Sequence, residues 1–223
     1  ERAERENKDD SASDRYRYKT SNQFQRSDFF LKLPADALYD DLDFKYEKRP
    51  SCSKFISELH FIHNNKVPLH KSAAVRIKTR ELNKTAQSKA LVVYIDSISG
   101  KIFASGGKYK KGWMESRINQ FGIYAVALDT IPPRILPLSI NNIDTLSESK
   151  RIRFKITDDL AGIKKIEGYI DGQWALFDYD AKNSLICHYF DSERFKLNKR
   201  HNFKLIISDY RNNISEYEAS FWK

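Results

Sequence analysis

IEGYIDGQWALFDY, residues 166–179, sets Ile166, Gly168 and Ile170 on one face of an extended segment, follows them with Asp171-Gly172, and resumes at once with an aromatic-rich run from Trp174. Asp-Gly between two strand patterns is a strong signal for a two-residue hairpin, because a type I′ turn needs positive φ at both central positions. Around this hairpin the same logic repeats. Ile152, Phe154 and Ile156 alternate with Arg151, Arg153 and Lys155, and further strand patterns cover 185–190, 201–208 and 214–221. Period two means a strand with one buried face. About six short strands with turns every ~8–12 residues predict a β-sandwich.

The N-terminal half reads the same way. Phe29, Leu31 and Leu33 share a face, as do Leu42, Phe44 and Tyr46, and Ala73, Val75 and Ile77. The run ALVVYI, 90–95, is apolar throughout and suits a strand covered on both sides. Ser99-Gly100 and Gly106-Gly107 mark turns, residues 34–38 a short helical turn or loop, and 113–118 and 122–128 two more strands. No stretch carries the long 3.6-residue period of a helix bundle. Aromatics make up 13% of the chain, mostly Phe and Tyr, and large rings favour half-buried pleated surfaces.

Three of the six prolines fall in DTIPPRILP, 129–137. Proline fixes φ and donates no ladder hydrogen bond, so this is the expected module boundary. The fold class is therefore all-β, as two antiparallel β-sandwich modules at 23–130 and 131–223, the second Ig-like. Residues 1–22 are charged and poor in aliphatics; they read as a linker or the end of a preceding domain, with 15–19 able to add an edge strand. The apolar residues flanking the prolines, Ile131, Ile135, Leu136 and Leu138, are expected to be buried at or beside an intermodule contact that gives one preferred orientation.

The formal net charge is +9, which suits acidic partners. The charges are interspersed, however, and the basic runs are short: Lys108, Lys110 and Lys111, then Lys196, Lys199 and Arg200. Solvated strand faces and loop tips account for them, so nucleic acid is not the expected partner. Cys52 and Cys187 fall in different modules and are read as unpaired thiols. No apolar run reaches the ~18 residues of a transmembrane helix.

Three groups of residues invite chemistry. His60, His63 and His70 cluster in HFIHNNKVPLH, and three imidazoles suit zinc. On a strand, though, positions 60 and 63 point to opposite faces, and no cysteine or carboxylate stands at ligand spacing. The turn Asp158-Asp159-Leu160-Ala161-Gly162 is rich in the oxygen ligands that calcium prefers, with Asp209, Asn212 and Asn213 in a loop that can approach it. The plainer reading is a turn in which Asp caps the backbone and Gly takes positive φ. Trp113, Trp174 and Trp222 can stack on sugars or peptide, or belong to the core. No G-x-S-x-G, P-loop, H-E-x-x-H or G-x-G-x-x-G occurs. The expectation is a chain with no catalytic, cofactor-binding or metal-binding residues and no cofactor.

Five blocks carry a resemblance: DFFLKLPADALYDDLDFKY (28–46), NNKVPLHKSAAVRIK (64–78), RINQFGIYAVALDTIPPRI (117–135), ITDDLAGIKKIEGYIDGQWALFDYD (156–180) and LIISDYRNNISEYEASF (205–221). In this order they resemble the C-terminal accessory region of large M23-type, lysostaphin-like metallopeptidases of the Bacteroidetes cell envelope. The first module also resembles a ZU5-type sandwich, and the second a bacterial Ig-like domain. That family's peptidase binds zinc through H-x-x-x-D and H-x-H. Neither motif is present here, since Asn64, Val67, Ala74, Ser192 and Leu205 stand four beyond the five histidines. What the resemblance implies is a non-catalytic accessory region of a peptidoglycan hydrolase whose peptidase domain is not in this chain. It would sit in the periplasm or cell envelope, with envelope proteins, an upstream peptidase domain or peptidoglycan as partners. The rival expectation is a stand-alone module that binds glycan, peptidoglycan or protein. Exposed aromatics around a groove would favour the rival, and buried tryptophans the accessory role.

Overall fold

The computed structural model describes residues 12–140, 151–190 and 199–222. The chain divides into two compact units, Glu1–Asp129 and Thr130–Lys223. Both are all-β and antiparallel, as the alternation predicts.

The first unit runs β1 (Ala12–Tyr16), β2 (Asn22–Gln25), β3 (Phe29–Leu33), β4 (Leu42–Arg49), β5 (Leu59–Ile62) and β6 (Pro68–Lys78). A short helix, α1 (Lys84–Lys89), then leads into β7 (Ala90–Ile95), β8 (Ile102–Gly106), β9 (Lys108–Lys110), β10 (Trp113–Gln120) and β11 (Gly122–Leu128). One sheet has the order β1-β4-β5-β11-β7-β8 and the other β2-β3-β6-β10-β9. The faces expected to be apolar close on each other. Phe29, Leu31, Leu33, Phe44, Ala73 and Ile77 are wholly buried. Ala90 to Val93 are buried on both faces of β7, as the unbroken apolar run requires.

Gly107 has φ of 108° and joins β8 of one sheet to β9 of the other. A Cβ there would lie 2.8 Å from the Glu115 carbonyl, so only glycine lets the strands cross so closely.

Two features depart from the reading above. The edge strand β1 starts at Ala12 and not at Arg15, pairing Tyr16 with Leu42. Tyr16 is buried and stacks on Phe44 at 4.5 Å, so one aromatic draws part of the charged N-terminal stretch into the sandwich. Residues 1–11 of that stretch lie outside the described residues. The helix α1 was not expected from the sequence. Asn83 caps it by accepting from the Ala86 amide at 2.9 Å, a local signal with too few residues behind it to show a helical period.

The second unit runs β12 (Arg134–Pro137), β13 (Arg151–Thr157), β14 (Ile163–Ile170), β15 (Gln173–Ala175), β16 (Asp178–Asp180), β17 (Leu185–Tyr189), β18 (Arg200–Asp209) and β19 (Ile214–Trp222). Its sheets have the orders β12-β13-β17-β16 and β15-β14-β18-β19. With the strands lettered in chain order these are ABED and C′CFG, the Ig-like arrangement. The β14–β15 hairpin turns on Asp171 and Gly172, with φ of 51° and 77°, as the Asp-Gly pair predicts. The core is built on Ile152, Phe154, Ile156, Phe203, Leu205 and Ile207.

The burial expected for the junction is not seen. Ile131 is 61% exposed, Leu136 51% and Leu138 44%, while Ile135 packs against the second unit's own core. The apolar residues after the prolines start β12, which pairs with β13. Alternation in that strand turns Ile135 inward and Leu136 outward.

Candidate functional site

Each histidine of the 60–70 cluster has its own structural setting. His60 on β5 is wholly buried, stacks on Phe29 at 4.8 Å, and has Nδ1 2.8 Å from the Tyr46 hydroxyl. Burial drives its pKa down to about 4, against a smaller upward pull from Asp28 and with a further downward push from Lys48. His63 does not point away from the core as strict alternation would have it. β5 ends at Ile62, and φ of 49° at His63 turns the chain, so its ring packs edge-on against Phe121 at 5.3 Å. Burial, then Lys45, lowers its pKa. His70 is exposed, with Nδ1 3.1 Å from the Asp36 carbonyl.

The two acidic turns of the second unit do come together. Ile163 pairs with Asp209, and the Tyr210 amide donates to the Gly162 carbonyl at 3.2 Å. Their carboxylates are engaged by the turns themselves. Asp158 accepts from the amides of Leu160 (3.1 Å) and Gly162 (2.7 Å), and Gly162 has φ of 82°. Asp209, wholly buried, accepts from the amides of Arg211 (2.6 Å) and Asn213 (2.9 Å) and from Asn213 Nδ2 (2.6 Å). This is the turn-capping geometry that the Asp and Gly positions suggest.

The tryptophans divide. Trp113 lies near the Arg76 guanidinium, 5.6 Å from its ring centroid, and Phe30 lies on the same cation at 4.5 Å. Its face is already in use within the first unit. Trp174 and Trp222 are 62% and 49% exposed, and the register of the C′CFG sheet puts them on one outward face. Trp174 pairs with Tyr169, Tyr169 with Lys204, Lys204 with Glu218, and Arg200 with Trp222. Along β18 the inward residues are His201, Phe203, Leu205 and Ile207, so Arg200, Asn202 and Lys204 point outward.

Between the two tryptophans lies a groove of 580 Å³ lined by Tyr169, Arg200, Asn202, Lys204, Glu218 and Ser220, among others. Its polar groups are held in place. Lys204 Nζ bridges Glu216 at 2.7 Å and Glu218 at 3.0 Å, and Ser220 donates to Asn202 Oδ1 at 3.0 Å. Arg200 has no side-chain partner among the described residues. Below the groove His201 Nδ1 meets Asp171 Oδ2 at 2.8 Å, and the Asn202 amide donates to Asp171 Oδ1 at 2.9 Å. The hairpin carrying Trp174 is thereby tied to β18. Burial raises the Asp171 pKa, but the Asn202 amide, His201 and Lys199 outweigh it and hold the carboxyl below its usual range.

The sequence reading singled out Trp174 and Trp222 and placed Arg200 in a short basic run, but not Tyr169, Asn202, Lys204, Glu218 or Ser220. Strand alternation shows that Arg200 and those five face outward, but nothing local says that β14, β18 and β19 are neighbours. Of the short basic runs, Lys108 and Lys110 are exposed on β9 and Lys111 sits in the following turn. Lys196 lies outside the described residues. Cys52 and Cys187 are both free thiols. Among the described residues no helix is long and apolar enough to cross a membrane.

Residues 13–129 match the family model described as a Zu5-like domain. No curated protein matches the chain. Among solved structures it is similar to the fibronectin(III)-like modules of Clostridium thermocellum CbhA, at 12% identity over 67% of this chain and 84% of that one, with a TM-score of 0.32.

Proposed function

Through residues 13–129 the chain belongs to the Zu5-like domain family, and from that premise we propose that it is a non-catalytic accessory region that binds at the bacterial cell envelope and positions a peptidoglycan hydrolase of the M23 type. The observation that carries this reading is how the side chains are used. His60 and His63 are used in core packing, and Asp158 and Asp209 accept hydrogen bonds from the amides of their own turns. Trp174 and Trp222 stand exposed on one face of the C′CFG sheet beside a groove lined by Tyr169, Arg200, Asn202 and Lys204, the feature that speaks for the second reading below. Rigid sandwiches with such faces suit docking and spacing. The hydrolase context rests on the ordered sequence blocks described above, and it implies a periplasmic or envelope location. A second reading, a stand-alone glycan-binding or protein-binding module, is favoured by the exposure of Trp174 and Trp222.

Incubating the chain with purified peptidoglycan sacculi tests the proposal. The chain is expected to sediment with the sacculi and to release no soluble muropeptides. Muropeptide release that is lost on chelation would show the chain to be an enzyme and overturn the reading.

A further inference from the structure

The C′CFG face has a more specific chemistry than docking requires. Its two tryptophans stand at opposite edges of a four-stranded sheet, three strand spacings and four residues apart in register. At ~4.8 Å per strand and ~3.3 Å per residue the rings are about 20 Å from each other. A single small ligand does not span that distance, but an extended oligomer does. Between them the surface mixes apolar and polar atoms, and its donors and acceptors, from Tyr169, Arg200, Asn202, Lys204, Glu218 and Ser220, lie on paired strands.

An aromatic face accepts the C–H face of a pyranose ring, and fixed amide and hydroxyl groups select its polar substituents. Asn202 Nδ2 has its hydrogens to offer, since Ser220 already occupies Oδ1. Lys204 is neutralised by Glu216 and Glu218. Arg200 is the cation of the groove lining that no carboxylate among the described residues engages, and its planar guanidinium suits a carboxylate.

We propose that the outward face of the C′CFG sheet binds an extended saccharide chain carrying carboxylate groups, with Trp174, Tyr169 and Trp222 stacking on sugar rings and Arg200 holding an acid substituent. This inference rests on the envelope-binding reading and names the ligand class of its second unit. A peptide would find no exposed strand edge at the centre of this face to pair with, because β14 and β18 are hydrogen-bonded on both sides. The unpaired Arg200 guanidinium, rather than any net charge of the face, selects a glycan with an acid substituent over a neutral one.

The test uses the full chain and three probes: purified sacculi, peptidoglycan glycan strands stripped of their peptides, and neutral N-acetylglucosamine oligomers. Tryptophan emission and co-sedimentation report binding. Trp174→Ala and Trp222→Ala are each expected to weaken binding of the stripped strands about tenfold, while Trp113→Phe leaves it unchanged. Arg200→Ala is expected to weaken the acidic strands and spare the neutral oligomers. All four positions are at the surface or in an outer ring contact, and circular dichroism of each variant confirms folding. Trp174→Phe, which keeps a ring, should recover part of the loss.

Folded variants that bind stripped strands as well as the parent chain overturn the inference. Binding of sacculi without binding of stripped strands also overturns it, yet leaves the accessory reading standing with a peptide or protein ligand. Self-association of the chain that is lost in Trp174→Ala would make this face a contact between copies and overturn it as well. Absence of any binding to sacculi or strands defeats both.

Discussion

His60 is the residue whose setting has the clearest consequence for stability. The ring is neutral in the folded state because burial lowers its pKa to about 4 from 6.5. Between those values the unfolded chain binds a proton that the folded chain does not. The contribution is therefore complete above pH 6.5 and is lost as pH falls through 6.5 toward 4, reaching about 3 kcal/mol in full. Urea titrations at pH 7 and pH 4.5 should show a smaller acid loss for His60→Gln than for the parent chain. Equal slopes with pH would remove this account. Gly168 is a second such position. It faces the core of the second unit, and a methyl group there would overlap the Phe177 ring, which packs near His188, Phe203 and Phe154. Gly168→Ala is expected to destabilise by about 1–3 kcal/mol through overpacking, with Phe177 more exposed to solvent. A neutral effect on the urea midpoint would mean that the ring moves aside freely.

Among the elements, β1 shows how a single side chain recruits a strand. In its sequence ASDRY Tyr16 is the one large apolar side chain, yet the strand pairs with β4 along its whole length. Tyr16 supplies the apolar surface, stacked on Phe44 and close to Phe24's cluster of rings. Its hydroxyl is buried without a hydrogen-bond partner, and burial, then Asp14, raises its pKa. Tyr16→Ala should cost roughly 3–5 kcal/mol, whereas Tyr16→Phe should be neutral or stabilise by roughly 1 kcal/mol, since it removes an unsatisfied buried group. If Tyr16→Ala left stability unchanged, β1 would be a dispensable arm and not part of the sandwich.

At the scale of the molecule, each unit has its own core. Ile140 to Phe221 supply the second, closed between ABED and C′CFG sheets, and Ser215 and Tyr217 hold the start of the unit by donating to the carbonyls of Pro133 and Ile140. A fragment of residues 130–223 is therefore expected to fold alone, with cooperative urea unfolding and ordered aromatic signals in near-ultraviolet dichroism. A fragment that unfolds without cooperativity would show that this core is insufficient by itself.

Much of this was legible in the residues because the signals are local. Alternation at Phe29 to Leu33, Ala73 to Ile77 and Ile152 to Ile156 selects the buried face whichever strand lies alongside. Asp171-Gly172 specifies its turn because few residues tolerate two positive φ values in succession. The sequence by itself therefore determined an all-β chain, its hairpin and its inward faces. Other features depend on partners distant in the chain. Tyr16 needed Phe44 to become core, and Leu136 stayed exposed because β12 paired with β13. His63 left its predicted face when β5 ended one residue before it. The groove on the C′CFG face is the fullest case. Trp174, Tyr169, Arg200 and Trp222 lie on four strands, and only strand order and register, which are settled by the packing of the whole sandwich, bring them onto one surface.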